Sequence, residues 1–78
     1  MNSTLIADDF ALWVIWSWPR PVTVLDSRVN AVRRAFELAA SGASISALAR
    51  AGTDERYGAE EIRAAWTELG LLSGPMQR

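Results

Sequence analysis

The sequence predicts a small, mostly α-helical domain of three or four helices, and three observations carry that expectation. Apolar residues recur at helical spacing in two stretches: Val29, Val32, Phe36 and Ala39, then Ile62, Trp66 and Leu69. Capping and stopping residues bracket them, with Asp26 and Ser27 before the first stretch, Gly42 after it and Gly70 after the second. The chain has 78 residues, 50% apolar and 22% charged, a globular balance suited to one domain over residues 1–78.

At the N-terminus, Ser3 and Thr4 offer caps, and Asp8 and Asp9 suit the positive end of a helix dipole. The run Phe10 to Trp18 holds one polar residue, Ser17. A helix there is apolar all round, which a small domain cannot fully bury. A strand is the rival, because Trp, Val and Ile favour sheets. The acid-rich start tips the expectation toward a helix. Pro19 ends it, and "PRP" keeps the chain extended. With no obvious strand partner nearby, "VTVLD", residues 22–26, reads as an extended connector.

Residues 27–72 then read as a three-helix unit. The first helix starts at the Asp26–Ser27 cap and keeps Arg28, Arg33, Arg34 and Glu37 off its apolar stripe. A short second helix, "ISALARAG", takes Ser44 as its cap, turns Ile45, Leu48 and Ala49 inward and closes at Gly52. "TDERY" is a polar loop. The last helix starts at Ala59 with Glu60 and Glu61 in its first turn, and Gly70 lets Leu71 fold back toward Trp66. Residues 73–78 are expected to fray.

Composition removes several kinds of chemistry. There is no cysteine and no histidine, so disulfides, thiolate metal sites and the usual general base are excluded. The acid pairs Asp8–Asp9, Asp54–Glu55 and Glu60–Glu61 are adjacent in sequence and diverge on a helix, so they do not converge on one ion. Serine and threonine have no His or Lys to activate them. No glycine-rich phosphate loop is present. No enzyme, no cofactor and no metal are therefore expected. No segment reaches the ~18 apolar residues of a membrane span, and "MNSTLIADDF" carries acids where a signal peptide carries positive charge. A cytoplasmic protein is the expectation. Among the usual supports of a small fold, self-association is the one left.

The unit 27–72, closing on "ELGLL", resembles a helix-turn-helix or winged-helix domain. That resemblance implies a last helix that reads bases in the major groove through Arg63 and Thr67, with Arg33, Arg34, Arg50 and Arg56 on phosphates. Glu60, Glu61 and Glu68 share that helix and repel a duplex, and the net charge is −1. A DNA-binding regulator therefore ranks second.

The tryptophans carry the first-ranked reading. Trp66, in register with Ile62 and Leu69, belongs to the core. Trp13, Trp16 and Trp18 sit within six positions beside Arg20, and aromatics with Arg are the residues enriched in interface hot spots. All eight basic residues are Arg, the better residue for bidentate pairing. The expectation is a non-enzymatic protein-binding regulator or inhibitor, of the kind phages and mobile elements carry, anti-CRISPR proteins among them. It binds through Trp13, Trp16, Trp18 and Arg20, either to a copy of itself as a homo-oligomer or to another protein. A structural part of a phage particle or other assembly ranks third.

Overall fold

The structure, a computed structural model, describes residues 9–72. The Ser3–Thr4 cap, Asp8 and the tail at 73–78 lie outside them. The chain runs β1 (Phe10–Trp18), β2 (Val22–Ser27), α1 (Arg28–Ala40), β3 (Ser44–Arg50), β4 (Arg56–Gly58) and α2 (Ala59–Glu68). The strands form one antiparallel sheet in the order β2-β1-β3-β4. The expectation of a mostly helical domain is therefore overturned: this is a four-stranded sheet with two helices.

The first half of that correction is the tryptophan run. It is a strand, paired on one side to β2 from Phe10↔Ser27 to Ile15↔Val22 and on the other to β3. The "VTVLD" stretch is its partner, not a connector. The two mistakes are one mistake. Reading Phe10 to Trp18 as a helix left residues 22–27 nothing to pair with. Inner strands with apolar residues on both faces show no alternation in sequence, and that removed the period-2 signal.

The second half is residues 44–50, expected as a short helix and found as β3. Ile45 and Leu48 both face the core, as expected, but a bulge places them there rather than a helical turn. The β1–β3 register jumps from Trp16↔Ala47 to Ser17↔Ile45, so Ser46 is the extra residue in β3. Its hydroxyl donates to the Trp16 carbonyl at 2.9 Å. One extra residue converts a period of two into a spacing of three, the spacing that mimics a helix. Ala49, expected inward, pairs with Val14 on the other face.

The two long helices form as expected. Ser27 caps α1, its side chain accepting from the Asn30 backbone N–H at 3.2 Å, and α1 buries Ala31, Val32 and Ala35. The Glu61 carboxylate accepts from the Gly58 backbone N–H at the start of α2 at 2.9 Å. Gly70 takes φ +75°, and the Leu71 backbone N–H returns to the Trp66 carbonyl at 2.9 Å. Trp66 is core: it is 7% exposed, its indole N–H donates to the Val32 carbonyl at 2.9 Å, and its ring meets Phe36 edge-on at 5.5 Å.

Both helices lie on one face of the sheet. Trp13 and Ile15 of β1 and Leu48 of β3, all at 0% exposure, pack there against Val32, Ile62, Ala65 and Trp66. Val22 and Val24 of β2 and Tyr57 of β4 complete that side. The other face carries no helix among the described residues.

Candidate functional site

The open face follows from register alone. On β1 the side chains alternate, so Leu12, Val14 and Trp16 point away from the helices that cover Trp13 and Ile15. Thr23 and Leu25 of β2 stand opposite Val14 and Leu12. Ala47 and Ala49 of β3 stand opposite Trp16 and Val14. Phe10 extends this row at one end of β1 and Trp18 at the other, beyond the bulge.

The result is an apolar sheet face left in solvent. Phe10 is 67% exposed, Leu12 45%, Trp16 42%, Trp18 73% and Leu25 65%. Scattered surface leucines are ordinary, but contiguous large apolar side chains on one face mark an interaction surface. Beside the β3–β4 connection the face sinks into a hollow of about 540 Å³, walled by Val14, Trp16 and Ala49 and rimmed by Asp54 and Arg56. The hollow is shallow and its rim charges are of both signs.

Of the expected contact residues, the structure brings Trp16 to this face, and strand parity puts Trp18 at its end, where it also borders a hollow with Val22, Leu38 and Ala43. Arg20 is exposed in the β1–β2 turn, where its carbonyl accepts from the Ser17 hydroxyl at 2.6 Å, and the Trp18–Pro19 peptide there is cis. Trp13 does not belong with them. It is fully buried, with the Arg28 guanidinium 5.4 Å and the Arg50 guanidinium 6.0 Å from its ring centroid. Sequence reasoning missed Phe10, Leu12 and Leu25. Had the run been read as a strand, the even parity of Phe10 and Leu12 with Trp16 would have grouped those three; Leu25 joins them only through its pairing with Leu12.

The residues named for a nucleic-acid site do not share a surface. Arg33 and Arg34 lie on the outer side of α1, where Arg34 pairs with Glu37 at 3.0 Å. Arg50 turns to the Trp13 side and meets Glu55 at 3.7 Å. Arg63 and Thr67 stand on α2, the threonine hydroxyl donating to the Arg63 carbonyl at 3.1 Å. Arg56 is exposed on β4, opposite Ala49, and so lies at the border of the open face.

The convergent charges are structural. Arg28, 11% exposed at its side chain, reaches Asp9 and Glu55, both at 2.9 Å, and Glu55 also accepts from the Tyr57 hydroxyl. Stacked over Trp13, this group ties the start of α1 to the β3–β4 connection. Among the described residues no group of three or more His, Cys, Asp or Glu is arranged to hold a metal ion. No helix among them is long and apolar enough to cross a membrane. Asp26 is held below the usual carboxylate range by the Asn30 side-chain amide and then by the Ser27 backbone N–H, a capping arrangement rather than a reactive one. Comparison with known proteins returns nothing: no family model, no curated protein and no solved structure matches the chain.

Proposed function

We propose that this chain is a non-enzymatic protein-binding module, acting as a regulator or inhibitor by occupying a surface of its partner, a second copy of itself included. The observation that supports it is the open sheet face, where five large apolar side chains stand between 42% and 73% exposed. Among the described residues, the charged side chains that converge are paired with one another around Trp13. Interface energy concentrates in buried aromatic anchors, each commonly worth ~2 kcal/mol or more, and Trp16, Trp18 and Phe10 supply that residue type. Arg20 and Arg56 supply a polar rim, the part of an interface that sets orientation more than affinity.

The test is a paired capture from the native host, using the wild-type chain and the variants Trp16→Ser and Leu25→Ser. Circular dichroism must first show that each variant is folded. A protein retained by the wild-type chain and lost from both variants is the expected result. Retention unchanged by these substitutions but lost on Arg34→Ser or Arg63→Ser places binding on the helices and overturns the reading.

A further inference from the structure

We infer that the occupant of the open face is a second copy of this chain, packed sheet against sheet so that β1 lies over β1 of its partner. The inference rests on the protein-binding reading above and names the partner for that same surface.

Two observations single out a second copy. The first is charge. The outward side chains of β1, β2 and β3, among them Phe10, Leu12, Val14, Trp16 and Leu25, are not ionisable; the charges at the rim of the hollow, Asp54 and Arg56, are of opposite sign. With an uncharged centre and rim charges of opposite sign, the face has no net charge with which to select an acidic or basic partner, and its centre matches a second apolar face. Cores of homodimer interfaces are apolar in this way. A single-stranded nucleic acid also stacks on aromatic platforms, but it needs a basic groove to follow the phosphates. This chain carries a net charge of −1.

The second observation is area. At the exposures of Phe10, Trp16 and Trp18, the three aromatics offer roughly 400 Å², taking about 150–250 Å² for a whole aromatic side chain. Leu12, Val14 and Leu25 raise this to at most roughly 600 Å² per copy, so complete coverage by a second copy buries about 1,200 Å², the lower bound of a standard interface. Two antiparallel sheets stack with their mean directions within about 30° and about 10 Å apart. That geometry lets the long β1 stripes cover one another about a two-fold axis, an isologous contact that closes at two copies. An interface at the lower bound of area has the size of a transient contact rather than an obligate one, so the dimer is expected to exchange with monomer.

The chain has no cysteine, so single-cysteine variants report without ambiguity. Thr23→Cys places a spin label on the open face opposite Val14, and Ala64→Cys places one on the exposed side of α2. Sedimentation equilibrium from low to high micromolar concentration should show a monomer–dimer equilibrium. Trp16→Ser should raise its dissociation constant by about tenfold or more, the loss expected of a hot spot, with circular dichroism unchanged. Pulsed electron resonance on the dimer should give a shorter label-to-label distance at position 23 than at position 64.

A wild-type chain that stays monomeric throughout overturns the second-copy inference. It leaves the protein-binding reading intact if Trp16→Ser still abolishes capture of a host protein. A dimer indifferent to Trp16→Ser, with the shorter distance at position 64, overturns both by placing the contact on the helices. Saturable binding of an oligo-thymidine probe at physiological salt, abolished by Trp16→Ser, overturns the inference in favour of base stacking.

Discussion

The two faces of β1 carry the same kinds of residue and meet opposite fates. On the helix side, Trp13 and Ile15 are at 0% exposure, with Arg28 and Arg50 over the indole ring. On the open side, Trp16 is 42% and Leu12 45% exposed, with no element of the described residues above them. Burial of a whole aromatic side chain removes about 150–250 Å² from water, worth several kcal/mol at about 25 cal/mol per Å². The covered face has already gained that stabilisation within one chain, whereas the open face retains a large part of it for a contact still to be made. Tryptophan content therefore says little about role in this molecule; position relative to the helices decides it.

The largest expected effects test that division directly. Trp13→Ala and Trp66→Ala should each destabilise the fold by roughly 3–5 kcal/mol, the range for deleting a large core aromatic. Trp66→Ala also leaves the Val32 carbonyl without its indole donor. Measured under monomeric conditions, Trp18→Ala, 73% exposed, should cost about 1 kcal/mol or less, and Trp16→Ala, 42% exposed, about 2 kcal/mol. Chemical denaturation of the four variants gives the comparison. If Trp16→Ala proves as costly as Trp13→Ala, the open face is part of the core and the division fails.

A smaller effect is expected at the charged group over Trp13. Arg28→Ala removes the contacts to Asp9 and Glu55 and one cation from the ring, and should destabilise by roughly 2 kcal/mol, the scale of hydrogen bonds to charged groups. Hydrogen exchange should show the loss concentrated where α1 begins and where β3 joins β4. A uniform loss across the sheet would contradict the tying role assigned to this residue.

On the open face, Leu25→Ser should change the monomer's stability by about 0.5 kcal/mol or less while weakening whatever association the face supports. Denaturation midpoints at low concentration, compared with those at high concentration, separate the two contributions.

The smallest effect concerns the α1 cap. Asp26 is held below its ordinary value when folded, so its contribution is complete above the unfolded aspartate range of about pH 4 and is lost as the pH falls through the folded value. Asp26→Asn should flatten the acid limb of the stability–pH curve and leave the limb above neutrality unchanged. An acid limb of unchanged slope would show that the cap does not depend on this charge.

Legibility in the sequence followed the range of the interactions involved. Residues 28–40 and 59–68 were readable because a helix bonds each N–H to a carbonyl four residues back and is closed by neighbours such as Ser27, Glu61 and Gly70. The same local rules placed Trp66 in the core and Leu71 beneath its turn. They failed at Ile45 and Leu48, where a spacing of three arises from the extra residue Ser46 and is visible only against β1. They failed again at Phe10 to Trp18, where apolar residues on both faces erase the alternation that marks a strand.

By itself the sequence determined the two long helices with their caps, the core position of Trp66, and the lack of cysteine and histidine that removes thiol, disulfide and imidazole chemistry. The tertiary structure decided that the tryptophan run is a strand, that residues 22–27 are its partner, and that Trp13 turns inward while Trp16 stays outside. The physical reason is that a strand has no internal hydrogen bonds. Its existence, its register and the face each side chain takes depend on partners distant in the chain, and on which side of the sheet the helices come to rest.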